Sequence, residues 1–470
     1  MSQAGAHGSH ESAHGENGDR PRIARGFRGE ITPPPAPAAH GEGPVVTDSR
    51  YEQYLAALAE NPLLTEDNIR VPERAAGGVA RALMVVGAVG IVLTLLAIFA
   101  ANLAHALAAY MVGVFSVLAC SLGAMFLVMV LHAVNAQWST TVRRQLENVM
   151  ALTWVPVLMM VPIVVIELVG GGVLLLWLRS DLQTNYLLEH KDPYLNGPFF
   201  ALRFVLYAAV WIWLSRSLYG MSREQDITGD RWLTRRMRRL GTFGLLLFAL
   251  SVPFAAFDFL MSLDYRFFST MWGVYYFAGA AMSGVAITGL VLAILRLFGR
   301  LTGVVTKEHF HDLGKLLFAF TVFWAYIAFS QYFLIWYGNI PEETAWFLRR
   351  TVGAWAPLAV IIVLGHFIVP FFLLISRKTK RNTVALGLMA GFLLVMQVLD
   401  MVFIIRPMVY IGERAAEYDP SPVLWIFDVA AVLGVAGLFG GLLAQQVASG
   451  PLVPIKDPRL GKALAHKNYV

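Results

Sequence analysis

Long apolar runs separated by short polar segments repeat along the chain from about residue 79 onward. Each run has about 20 or more residues, which at 1.5 Å per residue lets a helix cross the roughly 30 Å hydrocarbon core of a bilayer. The pattern predicts ten membrane spans. They cover approximately 79–101, 109–132, 149–178, 199–219, 240–261, 271–298, 313–337, 352–376, 383–405 and 423–446.

The third run is longer than a straight span needs, and it contains Pro156 and Pro162. Proline has no N–H for the helical hydrogen bond, so we expect this span to be kinked or tilted. The first two runs are joined by a very short link and allow other divisions. An even number of spans is favoured.

Composition changes this picture little. Of the 470 residues, 57% are hydrophobic and only 14% are charged, and the mean hydropathy is +0.60. Soluble domains carry about 25% charged residues and have no repeated runs of this length. The sequence therefore predicts an all-α integral membrane protein of about ten transmembrane helices.

The polar ends of the chain differ from the membrane part. Residues 1–50 are rich in Gly, His, Ser and Pro, which is typical of a disordered tail, and the tail's histidines are more simply solvated than metal-bound. Residues 51–78 begin with an amphipathic segment, 51–64, expected on the membrane surface or on a partner. The membrane domain is predicted over 79–446, and 447–470 form a second polar tail.

Loop charge predicts the orientation. Fourteen Lys and Arg residues fall in loops on the side of the N-terminus, among them Arg143 and Arg144, and seven fall on the other side. Because cytoplasmic loops carry the excess of positive charge, both tails are predicted to be cytoplasmic. The formal net charge of +6 is explained by these loops and does not indicate a nucleic-acid partner.

Cysteine content restricts redox chemistry on this chain. Cys120 is the only cysteine and lies within an apolar run, so the chain has neither the thiolates of an iron–sulfur cluster nor a C-x-x-C-H haem motif. We therefore predict no metal and no cofactor on this chain, and place any redox centres on partner subunits.

Several ionisable residues lie within the predicted spans, where each costs about 2.5–3.5 kcal/mol on insertion scales. The predicted orientation puts most of the acids toward the non-cytoplasmic side. Acids at a common depth are suited to accept and release protons, whereas the simpler alternative is that each pairs with an arginine or caps a helix. The predicted proton path consists of Glu167, Asp258, Asp264, His366 and Asp400; Asp428, after Pro422, is a better candidate for a helix cap.

The seventh span carries polar side chains on one side. Tyr326, Ser330 and Tyr337 follow one another at offsets of four and seven, and Gln331 is adjacent. This polar aromatic face predicts either a quinone-binding surface or a water chain, although interfacial tyrosines are also ordinary membrane anchors.

Three stretches together resemble a known family. They are LHAVNAQWSTTVRR at 131–144, DFLMSLDYRFFSTMWGVYYF at 258–277, and FWAYIAFSQYFLIWYGNIPEETAWFLRR at 323–350. The chain over about 75–446 resembles the ActF subunits of alternative complex III, the bacterial quinol:cytochrome c oxidoreductase, which are similar to NrfD-type membrane subunits.

The resemblance implies two four-helix bundles with two peripheral helices, in the bacterial inner membrane. It also implies a paralogous NrfD-like subunit, an iron–sulfur protein and multihaem cytochrome c subunits as partners, which would carry the haems and iron–sulfur clusters. This chain would contribute to quinol binding, proton translocation or both. A secondary transporter and a purely structural membrane anchor remain as alternatives.

Overall fold

The computed structural model of the protein describes residues 49–182, 185–409 and 422–468. These residues contain no β-strand, and ten of their helical segments are long and apolar enough to cross a membrane, which confirms the predicted fold class. Spans 1 to 10 are, in order, Glu66–Ala100, Leu103–Ala133, Gln137–Val169, Gly197–Thr228, Arg231–Met261, Trp272–Leu297, Lys307–Gly338, Gly353–Ile375, Thr383–Met408 and Leu424–Ala448.

Short helices lie outside the spans, and the first and last described segments meet at one end of the molecule. The Gly461 N–H donates to the Tyr54 hydroxyl at 3.0 Å, and the Leu452 N–H donates to the Ile69 carbonyl at 2.7 Å. We call this end the terminal face and the other end the opposite face. The short helices are Ser49–Ala59, Tyr186–Lys191, Pro341–Thr351, Arg377–Arg381 and Leu460–Leu464.

Helix contacts divide the spans into two groups of four and one pair. Spans 2 to 5 form a first bundle, in which span 5 packs on spans 2 and 4, and spans 6 to 9 form a second, in which span 6 packs on spans 7 and 9. Spans 1 and 10 pack on each other along their length and together cover span 2. This is the arrangement of two four-helix bundles and two peripheral helices that the resemblance implies.

The two bundles meet where spans 2 and 6 cross on small residues. A Cβ added at Gly284 would collide with the backbone of Gly123, and one added at Gly123 would collide with the Ala280 carbonyl. Without a hydrophobic driving force between helices in lipid, such close backbone approach supplies much of their association. Glycine at both positions therefore fixes the joint between the bundles.

The third span differs from its prediction. It was expected over 149–178 but comprises Gln137–Val169, with a break between the helices Thr140–Ala151 and Trp154–Val169. Pro156 explains the break, because it has no N–H to donate to the carbonyl four residues earlier. The chain then reverses through Gly171 and Gly172, both with positive φ, so residues 170–178 are not part of the span.

Polar helix ends explain the other differences in length. Spans 4 and 5 were predicted over 199–219 and 240–261 but extend to Thr228 and back to Arg231. Hydrocarbon thickness sets the length of the apolar run, but the charged residues beyond it continue the same helix into the polar region. Residues 1–48, nearly all of the tail that was predicted to be disordered, lie outside the described residues.

The predicted amphipathic segment at 51–64 forms the helix Ser49–Ala59. Its apolar side chains Tyr54 and Leu58 are buried against Leu460. The helix therefore packs on the second polar tail of its own chain.

Candidate functional site

Asp258 is buried in the first bundle as one half of an ion pair. Its carboxylate accepts hydrogen bonds from the Arg203 guanidinium of span 4 at 2.8 and 2.9 Å and from the Tyr207 hydroxyl at 2.7 Å. It lies in a π-helical turn, Phe257–Met261, one turn after Pro253, and such turns often mark functional positions. Because Arg203 balances its charge, this acid is tied to the packing of spans 4 and 5.

Glu167 and Asp264 are also held, both toward the opposite face. The Glu167 carboxylate accepts the backbone N–H groups of Leu174 and Leu175 at 2.8 and 3.0 Å, so it fixes the chain reversal after span 3. Asp264 forms an ion pair of 2.6 Å with Arg349, in the connection between spans 7 and 8. Each of these acids stabilises a connection on the opposite face.

Asp400 is the buried acid with different surroundings. It is 1% exposed in span 9 and accepts a hydrogen bond from the Tyr275 hydroxyl of span 6. Across the same bundle, the ring of Trp324 lies 5.9 Å from that of Tyr275 and stacks on the ring of His366 at 3.8 Å. His366 lies in the second π-helical turn, Val363–Ile368. No cationic side chain among the described residues lies within 4.0 Å of the Asp400 carboxylate.

Three further polar groups lie in the interior of the second bundle. Within the part of the chain that the structure describes, both ring nitrogens of His366 and the side-chain amides of Gln331 and Gln397 have no hydrogen-bond partner. Gln397 and Asp400, three residues apart, share a side of span 9, and the Gln397 amide packs against Gly279 of span 6. Buried polar groups with no protein partner are the positions where internal water binds.

Arg350 lies next to this cluster on the side of the opposite face. Its buried guanidinium donates to the carbonyl oxygens of Trp346, Phe403 and Ile404 at 2.7–2.8 Å and stacks on the Trp346 ring at 3.4 Å. Burial lowers its pKa well below the ordinary value of 12.5. Phe403 and Ile404 follow Asp400 by one turn of span 9. The Arg350 guanidinium therefore lies near Asp400 but forms no ion pair with its carboxylate. We call Tyr275, Trp324, Gln331, Arg350, His366, Gln397 and Asp400 the Asp400 cluster.

A second set of ionisable residues joins spans 2, 9 and 10. Arg406 contacts the Asp428 carboxylate at 3.2 Å and the His105 ring at 3.0 Å, and His105 lies 3.7 Å from Asp428. The expectation that Asp428 caps a helix therefore misses its main role, which is an ion pair that ties the peripheral pair to the second bundle.

Arg143 and Arg144 correct one expectation from the sequence. They were counted as loop residues, but both are buried in span 3, at the terminal face. Arg143 bonds Glu147 at 2.8 Å and Asp457 at 2.6 Å, and Arg144 bonds Asp226 at 2.6 Å. The two arginine side chains reach carboxylates on span 4 and on the tail. The polar stretch that was interpreted as a loop is therefore a buried network of ion pairs.

The tail beyond span 10 completes this network. Residues 452–466, which we call the C-terminal strap, lie across the terminal face, where the Ile455 N–H donates to Asp226 at 3.1 Å and His466 contacts Asp312 of span 7 at 2.6 Å. Burial by itself raises the pKa of Asp457, but the Arg459 and Arg143 guanidiniums outweigh it and hold that pKa far below its usual range. The strap therefore contacts both bundles through charged groups.

The polar face predicted on span 7 divides between the interior and the surface. Tyr326 and Tyr337 are 65% and 76% exposed on the outer surface, and Ser330 is half-buried beside them. Gln331 is the one of the four that is buried, and it lies seven residues after Trp324, on the same side of span 7. The structure therefore separates the residues that face the bilayer from the one that faces the bundle.

Metal ligands do not come together in the described ranges 49–182, 185–409 and 422–468, where no three His, Cys, Asp or Glu side chains form a group. An apolar recess of about 300 Å³ lies among spans 1, 2, 3 and 10. Its lining includes Ile98, Leu107, Tyr110 and Pro162, and the Tyr110 hydroxyl is already bonded to the Met159 carbonyl at 3.0 Å. The recess suits a hydrocarbon chain more than a polar ligand.

Sequence reasoning identified Asp400, His366 and Gln331 but missed the other residues of the cluster. Tyr275 and Trp324 look like ordinary aromatic residues of apolar spans, and Arg350 was assigned to a loop. One signal was overlooked in the first bundle: Arg203 stands within a predicted span, where a charge calls for a partner. That partner is Asp258.

Comparison with known proteins adds no relative. No family model matches the chain, and no curated protein sequence matches it significantly. The resemblance to the alternative complex III subunits therefore rests on the three stretches quoted above.

Proposed function

We propose that this chain is a cofactor-free integral membrane subunit of a quinol:electron-acceptor oxidoreductase of the alternative complex III type, and that it contributes to proton translocation through its second bundle. In this proposal it lies in the bacterial inner membrane with both tails in the cytoplasm. A paralogous subunit, an iron–sulfur protein and multihaem cytochromes carry the electron transfer. The observation that supports a proton-handling role most directly is the Asp400 cluster.

The chemistry follows from the contacts of Asp400. A carboxylate with a neutral hydroxyl partner can take up and lose a proton without breaking an ion pair, whereas Asp258 cannot do so without leaving Arg203 unbalanced. His366 and the Gln397 amide offer positions for water on the terminal-face side of Asp400, whereas Gln331, two turns beyond Trp324 on span 7, offers one toward the opposite face. Arg350 also lies on the opposite-face side, where its guanidinium is held by the Phe403 and Ile404 carbonyl oxygens one turn beyond Asp400. In this proposal, water held at these polar groups carries protons to and from Asp400.

A structural anchor is the second candidate, and the paired acids favour it. Glu167, Asp258 and Asp264, all predicted to handle protons, each stabilise a contact between helices or loops. If Asp400 has the same kind of role, the chain holds other subunits together and moves no protons. The two candidates predict different results for a variant in which Asp400 has lost its charge.

The test combines purification with one isosteric substitution. The tagged chain is purified in mild detergent, and we expect haem absorbance and quinol-dependent cytochrome reduction to accompany it. Asp400→Asn keeps an acceptor for the Tyr275 hydroxyl but cannot carry a proton, so turnover should fall by about a hundredfold or more while the complex stays assembled. Ser283→Ala, in the same bundle, serves as the control, because it removes a buried hydroxyl whose one hydrogen bond within the described ranges is to the Gly279 carbonyl.

Two results would contradict the proposal. A chain that purifies without haem-bearing partners would exclude the oxidoreductase assignment and leave the transporter alternative. Full turnover of an assembled Asp400→Asn complex would instead favour the structural anchor.

A further inference from the structure

A recess of about 560 Å³ opens at the terminal-face end of span 5, away from the Asp400 cluster. Its walls come from a single side of one helix, at offsets of three and four residues, so the side chains form a continuous strip. The lining residues are Arg235, Arg238, Arg239, Thr242 and Phe243.

Two of these arginines present their charges to the surroundings. Arg238 and Arg239 are exposed, and no carboxylate among the described residues lies within 4.0 Å of either guanidinium. Arg143 and Arg144, on the same face, are by contrast buried and each paired with acids. The recess therefore holds positive charge that the described part of the protein does not balance.

The strip continues as an apolar surface toward the bilayer interior. Phe243, Leu246 and Leu250 are 55%, 60% and 55% exposed and follow the arginines at offsets of three and four residues. Phe254 extends the strip by one more turn. A ligand that follows this strip needs a negative headgroup at one end and a hydrocarbon chain of several turns' length at the other.

We propose that the recess is a binding site for an anionic phospholipid. The phosphate oxygens accept hydrogen bonds from Arg238 and Arg239, and an acyl chain lies along Phe243, Leu246 and Leu250. Guanidinium groups bond phosphate through two N–H groups at once, and basic pockets at the membrane boundary select acidic headgroups. The apolar strip distinguishes this ligand from a free anion, which would use the arginines alone, and from an acidic protein segment, which would need no acyl surface.

The test measures lipid binding by the full chain, purified in mild detergent with any subunits that accompany it. Three probes are titrated separately: phosphatidylglycerol, phosphatidylcholine and inorganic phosphate. Binding is followed by native mass spectrometry and by the shift in the thermal unfolding midpoint. We expect phosphatidylglycerol to bind and to raise the midpoint, and the other two probes to have little effect at the same concentrations.

Paired variants locate the site. Each basic residue at a membrane surface changes binding of acidic lipid by about fivefold, so Arg238→Gln with Arg239→Gln should weaken phosphatidylglycerol binding by about thirtyfold. The control, Arg377→Gln with Lys378→Gln, removes the same charge from an exposed short helix of the second bundle, Arg377–Arg381, and should change phosphatidylglycerol binding by less than about twofold. Arg238→Lys with Arg239→Lys keeps the charge and should retain most of the binding, which also shows that the segment folds.

Any of four outcomes would overturn the proposal. Equal losses in the recess variant and the control would mean a diffuse surface charge. Equal binding of phosphatidylcholine would mean that the arginines do not select the headgroup, and equal stabilisation by inorganic phosphate would mean an anion site. Loss of an accompanying subunit from the recess variant, with lipid binding unchanged, would identify an acidic protein segment as the occupant.

Discussion

The first bundle buries Asp258 against the Arg203 guanidinium, whereas the second buries Asp400 against the Tyr275 hydroxyl. Both acids lie in the last span of their bundle, and each bundle contains one π-helical turn with an ionisable side chain, Asp258 in one and His366 in the other. A matched ion pair stabilises a contact but resists a change of charge. A hydroxyl partner leaves the acid able to exchange its proton without breaking an ion pair, and the proposed function places proton handling in the second bundle on this difference.

The largest expected effect separates the two acids by stability. Arg203→Leu leaves Asp258 as an unbalanced buried charge and should lower the free energy of unfolding by about 3–5 kcal/mol, measured by thermal unfolding in detergent. Asp400→Asn should cost less than about 1.5 kcal/mol, because the amide oxygen still accepts the Tyr275 hydroxyl. The double variant Arg203→Leu with Asp258→Leu should recover part of the lost unfolding free energy, because neither charge remains. A double variant as unstable as Arg203→Leu would show that Arg203 stabilises the protein through some other contact.

A second prediction asks whether the bundles unfold as one unit. Gly284→Ala places a methyl group against the backbone of Gly123 and should cost about 1–3 kcal/mol. Gly289→Ala, in the same span, meets only the Ala390 methyl at 3.9 Å and should be neutral or slightly stabilising. The measurement is again the unfolding midpoint. Two separate transitions in the Gly284 variant would mean that the joint alone couples the bundles, and equal midpoints for the two variants would contradict the close crossing.

A third prediction compares the hydroxyl partners. Tyr275→Phe removes the hydrogen bond to Asp400 and should cost about 1–2 kcal/mol, because the buried carboxylate loses its donor. Tyr207→Phe should cost less, since Asp258 keeps both bonds from Arg203. The difference in unfolding midpoint between the two variants is the readout. If the Tyr207 variant proves the less stable, the two acids are not held as described.

The smallest expected effect is the pH dependence of stability at Asp457, an acid with two guanidinium partners. Its pKa is far below the ordinary value of 3.8, so its contribution to stability is complete above about pH 4 and is lost only as the pH falls further. The stability difference between the native chain and Asp457→Asn should therefore stay constant from pH 8 to pH 5 and shrink in stronger acid. A difference that already shrinks between pH 7 and pH 5 would contradict the paired state of this carboxylate.

The spans were readable from the sequence because an apolar run of membrane length has few alternatives. The ends of the spans were not readable. At Arg143 and Arg231 the apolar run has stopped but the helix continues, and Arg143 forms ion pairs there. Asp400 and His366 stood out as costly residues in apolar surroundings. The pairing of Asp258 with Arg203, 55 residues away, and of Asp400 with Tyr275, 125 residues away, depends on which helices pack together, and no local pattern encodes that.

The order of synthesis gives the C-terminal strap a further consequence. Arg143 and Arg144 emerge with span 3, but Asp457, which Arg143 contacts at 2.6 Å, is translated only after span 10. Until then Arg143 of the nascent chain has Glu147 of its own helix as a partner but lacks Asp457. The strap then supplies Asp457, so a chain interrupted before residue 457 lacks the second carboxylate of this buried arginine.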